Sequence, residues 1–193
     1  MKKLFIIALA GVFSVSLNAQ KIKVTSGSLS ALAGVKEVGV IFDYSEMRVG
    51  KKSEDSYVLE KVAKYNEKEP GRGDQWAKSW TNDREARFEP NFFELINKYG
   101  KNWTFSKGKK DVYLKFHTIY TEPGWNIGIS RSNAVINAVI TVYSGGSEVA
   151  EITMIGAAGR TFGGYDFDTG VRISECYALA GKKLGKFLVK KAK

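Results

Sequence analysis

The sequence predicts an α+β fold: an antiparallel sheet, made of a three-strand meander plus an inner N-terminal strand, packed by helices and closed by a C-terminal amphipathic helix. Two patterns predict it. Apolar and polar residues alternate through residues 112–120, and again at Ile136, Ala138, Ile140 and Val142, the period of two shown by strands with one buried face. Ile173, Tyr177, Ala180, Leu184 and Phe187 recur every three or four residues, which lines them along one side of a helix. Such a stripe is stable only when covered, and the sheet is the surface available to cover it.

Residues 1–19 have the layout of a secretory signal. Lys2 and Lys3 precede an apolar run, and Ala19 offers a small residue for cleavage before Gln20. The run is shorter than the roughly 20 residues that span a bilayer, and no later stretch is apolar enough to do so. Residues 20–193 are expected to form one exported domain, periplasmic or secreted. Cys176 is the only cysteine, which excludes an intrachain disulfide, a thiolate metal cluster and a lipid-bearing cysteine at the cut. The net charge of +10 marks a basic protein suited to anionic neighbours, and in an exported chain nucleic acid is not expected among them.

Along the mature chain, residues 21–25 suit an edge strand and residues 38–42 an inner one, with the polar groups Asp43 and Glu46 just beyond it. Residues 53–68 turn helical, with Val58, Val62 and Tyr65 on one side, until Glu69, Pro70 and Gly71 stop the helix. Asp74 reads as the N-cap of a helix carrying Trp76 and Trp80. Pro90 suits the first position of a third helix, with Phe88 and Phe93 as a hydrophobic staple and Gly100 at its end. Within residues 112–120, Val112, Leu114, Phe116, Thr118 and Tyr120 are expected to share one face. Glu122, Pro123 and Gly124 break that strand, residues 125–132 form a polar-decorated segment, and Gly145-Gly146 signals a hairpin to a strand over residues 149–155.

No complete catalytic set is legible. Asp168-Thr169-Gly170 matches the active-site tripeptide of aspartic proteases, but that chemistry needs two such carboxylates, and a cap for the last helix explains it better. Asp166 and Asp168 alternate as calcium ligands do, yet the glycine and closing glutamate of an EF-hand are misplaced. His117, the single histidine, lacks a nucleophile elbow and cannot build a zinc site alone. Arg72-Gly73-Asp74 spells an adhesion tripeptide, too short to be diagnostic. Cofactors and metals are therefore not expected. The residues placed in a ligand or partner site are Trp125, Asn126, Arg131, Tyr165, Asp166 and Asp168, where aromatic faces and an arginine can hold a sugar or an anion. This requires both loops to reach one end of the sheet. Trp76 and Trp80, four apart, are expected to pack inward. Lys182, Lys186 and Lys190 flank the last helix and present either a solvated face or a peripheral membrane contact.

Several stretches together resemble an uncharacterised family of exported bacterial envelope proteins. They are Gly73-Asp-Gln-Trp76 with Trp80, Phe88-Glu-Pro90, Glu122-Pro-Gly-Trp-Asn-Ile-Gly128 and Gly164-Tyr-Asp-Phe-Asp-Thr-Gly-Val-Arg-Ile-Ser174. More loosely, the order of elements is similar to the α+β domains of the TolB amino-terminal region, of the outer-membrane activators of penicillin-binding proteins, and of curli-secretion lipoproteins. This resemblance implies a non-catalytic envelope module that binds a protein partner or an anionic envelope polymer. A small anionic-ligand or glycan binder is the alternative, and a hydrolase using Asp43 and Glu46, or Asp166 and Asp168, ranks below it.

Overall fold

A computed structural model of the chain describes residues 21–159 and 167–192. The leader-like segment and two expected site residues, Tyr165 and Asp166, lie outside the described residues. In chain order the elements are β1 (Lys21–Gly27), β2 (Glu37–Asp43), the hairpin β3 (Arg48–Val49) and β4 (Lys52–Ser53), α1 (Glu54–Asn66), α2 (Arg72–Asp83) and α3 (Glu89–Tyr99). Then come β5 (Thr104–Lys107), β6 (Val112–Glu122), the short ribbon β7 (Trp125–Asn126) and β8 (Arg131–Ser132), β9 (Val135–Ser144), β10 (Ser147–Ala158) and α4 (Thr169–Lys191).

The fold is α+β with an open, mixed sheet whose path runs β1-β10-β9-β6-β2-β5. Neighbours from β1 to β6 are antiparallel, but β2 lies parallel to both β5 and β6, which corrects the expectation of an antiparallel sheet throughout. The cause is the connection after β2. Three helices intervene before the chain returns, and a crossover of that length lets a strand come back in the same direction. The run Val38-Gly-Val-Ile-Phe42 suits such a strand, and Val38 and Val40 are fully buried.

On β6, Val112, Leu114, Phe116 and Thr118 are buried, but a bulge between Thr118 and Tyr120 advances the register by one residue. Thr121 is therefore the next buried side chain and Tyr120 is displaced from that face, a shift that strict alternation cannot foresee.

Helix starts also depart from simple capping rules. The N-cap of α2 is Gly71, at φ 82, and not Asp74, because the Asn66 side chain already accepts from the Gly73 amide at 2.7 Å and starts the helix earlier. Gly73 is thereby buried within the first turn of α2, so Arg72-Gly73-Asp74 is helical rather than a displayed loop. There is also no break before Pro90: α2 passes into α3 through one π-helical turn, Arg84–Phe88. Such turns shift the phase of a helix and recur at functional sites. Here the turn presents Phe88 to α4, where its ring stacks on Tyr177 at 5.0 Å.

Along α4, Ile173, Tyr177, Ala180 and Leu184 are buried and Phe187 is partly so. The stripe is shared between the sheet and α3. Tyr177 reaches β6, its hydroxyl 2.7 Å from Thr118 Oγ1. Gly181 faces α3 so closely that a Cβ there would sit 2.3 Å from the Phe92 carbonyl oxygen. A Gly181→Leu variant is accordingly expected to push the two helices apart and cost about 3 kcal/mol, read as a lowered urea midpoint. An unchanged midpoint would show that this contact yields freely. Lys182 and Lys186 lie over the Tyr99 ring at 5.1 and 4.8 Å, so that lysine flank is engaged by α3. No described helix is long and apolar enough to cross a membrane.

Candidate functional site

Arg172 organises one end of the molecule. One turn into α4 and only 5% exposed, it sends its guanidinium across to the turn after β6. Nε donates to the Pro123 carbonyl at 3.1 Å and Nη2 to that of Gly124 at 3.4 Å. Nη1 donates to the Phe167 carbonyl at 3.0 Å, and Nη2 also reaches Thr169 Oγ1 at 3.0 Å. The planar fork of arginine is what allows one side chain to hold two loops. It brings the stem of the β7–β8 ribbon, and hence Trp125, Asn126 and Arg131, to the end where α4 begins.

Asp168 stands beside this clasp and caps α4. Its Oδ1 accepts from the amides of Gly170 at 2.6 Å and Val171 at 3.3 Å, as the bare N–H groups of a helix start require. Its Oδ2 lies 3.2 Å from Arg87 Nη1, and Arg87 Nε lies 3.2 Å from Asp83 Oδ1. Two carboxylates thus share one guanidinium. Burial pushes the Asp168 carboxyl up, but Arg87 and the two amides outweigh it and hold the group below its ordinary value. Asp83 moves the other way: burial, with the Asp168 charge adding to it, outweighs Arg87 and raises it. Gly170 makes the approach possible, since a Cβ there would lie 1.8 Å from Asp83 Oδ2.

These groups line a cleft of about 380 Å³, closed on its other side by Tyr65, Trp76, Trp80 and Phe167. The tryptophans form an aromatic cluster with α1 rather than with the sheet. Trp76 and Trp80 lie 5.5 Å apart, with Tyr65 and Tyr57 against them. Trp80 is buried, and its Nε1 donates to Glu54 Oε1 at 2.6 Å, an oxygen that Arg84 also holds. Trp76 is only half-buried and keeps part of its ring toward the cleft. Both rings pack inward, Trp80 buried and Trp76 partly so, and both also border the cleft. Trp125, Asn126 and Arg131 do not line this cleft; they stand on the neighbouring ribbon.

Other residues singled out in the sequence are occupied. Burial pushes the Asp43 carboxyl up, but the Lys115 ammonium at 2.8 Å and the Ser45 hydroxyl and amide hold it well below the carboxylate range. His117 Nε2 bonds the Ser45 carbonyl at 2.8 Å. Cys176 is buried under the Gly159 amide, and burial pushes its thiol up to about 12. A larger hollow of about 800 Å³ lies on the far side of the π turn, but its charges are paired, Lys107 with Glu85 and Glu89 of the same lining, and Arg84 with Glu54 of α1. No group of three or more metal-ligating side chains is found among the described residues.

Sequence reasoning missed Asp83 and Arg87. Their only signal is the i, i+4 spacing of opposite charges, which surface helices also show.

A scan against protein-family models finds no match for this chain, and a search of curated proteins finds none either. Among solved structures the chain is similar to the PelC dodecamer from Paraburkholderia phytofirmans and to a point variant of it in another crystal form. Each superposes with a TM-score of 0.36 at 13% identity, covering 83% of this chain and 96% of that one. A superposition this loose carries no weight for function.

Proposed function

We propose that this chain is a non-catalytic module of the cell envelope that binds an envelope polymer, a hydroxyl-rich glycan, in the cleft beside the start of α4. The observation that carries this reading is the Trp76 ring standing next to the Asp83–Arg87–Asp168 array. A flat aromatic surface beside fixed carboxylate and guanidinium groups suits a sugar ring, which offers a C–H face to stack and hydroxyls to orient. Two carboxylates against one guanidinium leave the array net negative, which favours a neutral polymer over the anionic one that the overall charge suggests. The leader-like start of the sequence, and its likeness to exported envelope proteins, support placing the module outside the cytoplasm.

The test is a tryptophan-fluorescence titration with neutral amino-sugar oligomers of increasing length. Saturable binding is expected, with a Trp76→Ala variant weakened about tenfold through loss of the stacking surface. Oligomers that produce no saturable change, or a variant that binds as well as the parent, would remove the polymer and leave a protein partner as the ligand.

The opposed displacements of Asp83 and Asp168 favour a second reading, a carboxylate-based glycan hydrolase, since acid and base roles arise where two such groups are driven apart. It ranks second because Asp168 has both oxygens engaged, by the α4 amides and by Arg87. Release of reducing ends, abolished in Asp83→Asn with binding retained, would promote it. No turnover by the parent protein would dismiss it.

A further inference from the structure

We propose that the β7–β8 ribbon is a lipid-docking element that seats this protein on an anionic membrane surface. Trp125, Ile127 and Ile129 are 45%, 65% and 95% exposed, and Phe167, tied to the ribbon stem through Arg172, is 61% exposed. Exposed hairpin tips are ordinarily built from glycine, asparagine, aspartate and serine. Here two isoleucines occupy the tip and stand exposed.

The ribbon's backbone is compatible with that setting. The Ile127 amide donates to the Ser130 carbonyl at 3.0 Å, and the Gly128 amide to Asn126 Oδ1 at 2.8 Å. Turns in water make such bonds too. In hydrocarbon they are required, because each unpaired polar group there is costly, and these two amides meet that requirement. The side chains also stand in the order a lipid interface prefers, with the isoleucines at the tip and Trp125 nearer the stem, where an indole can sit among headgroups.

Charge then selects the surface. Arg131, exposed, pairs in register with Asn126 just behind the tip. Behind it the β3–β4 turn, which carries exposed Lys51, runs beside the end of β6 through the pairing of Val49 with Thr121. A basic chain with cations behind an apolar tip matches an anionic bilayer, which offers phosphate to the cations and hydrocarbon to the tip. A protein pocket can accept the isoleucines but need not answer the cations. None of Trp125, Ile127, Ile129 and Arg131 lines the aromatic cleft, so this inference does not rest on the polymer reading.

The experiment is co-sedimentation of the protein with vesicles of phosphatidylcholine alone, or of phosphatidylcholine mixed with phosphatidylglycerol, and tryptophan quenching by brominated acyl chains. Binding is expected on the mixed vesicles and little on phosphatidylcholine, with quenching from Trp125. An Ile127→Asp/Ile129→Asp double variant is expected to bind at least about tenfold less, and Arg131→Ala several-fold less. Both sites are exposed, so the melting temperature should hold; should the double variant fail to fold, Ile129→Ser replaces it. No binding to the mixed vesicles, or equal binding by the isoleucine variants, overturns the proposal. So does a result in which vesicles fail but the parent protein, unlike the double variant, retains one defined envelope protein, which would make the ribbon a protein contact.

Discussion

An Arg172→Met variant is expected to lose about 3–5 kcal/mol of folding stability, seen as a large drop in the urea midpoint with little change in slope. The side chain is almost fully buried and donates to the carbonyls of Pro123, Gly124 and Phe167 and to the Thr169 hydroxyl. Methionine fills much of the volume but leaves those acceptors without their donor in a place water does not reach readily, and an unmade bond there costs more than a made one contributes. Arg172→Lys keeps the charge yet cannot fork toward two loops, so about half of the loss should remain. Leu59, 70% exposed on α1, provides the control, and Leu59→Ala should stay within about 0.5 kcal/mol of the parent. A loss below about 1 kcal/mol in Arg172→Met would mean that the two loops are held by something else. In that case the shared end of cleft and ribbon would no longer depend on the clasp.

The second large effect belongs to Tyr177. Its ring stacks on Phe88 at 5.0 Å and touches Phe116 and Phe42 at 5.9 and 6.4 Å, joining α4, the π turn and two central strands. Tyr177→Ala opens a cavity among all of them and should cost about 3–5 kcal/mol. Tyr177→Phe keeps the packing and loses the hydroxyl with its contacts to Thr118 and Tyr44, for about 1–2 kcal/mol. Alkaline pH separates the roles further. Burial raises the phenols of Tyr177 and Tyr44 above the ordinary tyrosine value, so above pH about 10 the unfolded chain releases protons that the native chain keeps. Stability should be complete below that pH and fall as pH rises through it, and the fall should be shallower in Tyr177→Phe. An identical alkaline slope in the two proteins would sink the argument.

Much of the local structure is legible in the sequence because it depends on near neighbours. The stripe Ile173, Tyr177, Ala180 and Leu184 is buried, and Asp168 caps the helix that carries it. The alternation through Ile136, Ala138, Ile140 and Val142 is that of β9. Local preference is overridden where a contact or backbone irregularity outside the residue's own turn intervenes. Asn66 supplied the bond that moved the start of α2 to Gly71, and the π turn removed the break expected before Pro90. A bulge at Thr118 rephased β6, and three intervening helices turned β2 parallel to its neighbours.

The candidate site divides in the same way. Trp125, Asn126, Arg131 and Asp168 could be singled out by residue type, but their grouping could not. Arg172 joins the two loop stems, whereas the Asp168 carboxylate turns to Arg87 and Asp83 on a helix some eighty residues upstream.

The sequence by itself determined the α+β class, the helix and strand periods, the exclusion of an intrachain disulfide, and the basic balance of charge, because each follows from residue type, count and spacing along the chain. Only the tertiary structure decided that one guanidinium would fasten two loops, that Trp76 and Trp80 would border a cleft beside an acidic pair, and that two isoleucines would stand exposed on a ribbon tip. Those are relations between segments far apart in the chain. Side-chain periodicity sets which face an element buries, but the partner it meets there is settled only when the whole core packs.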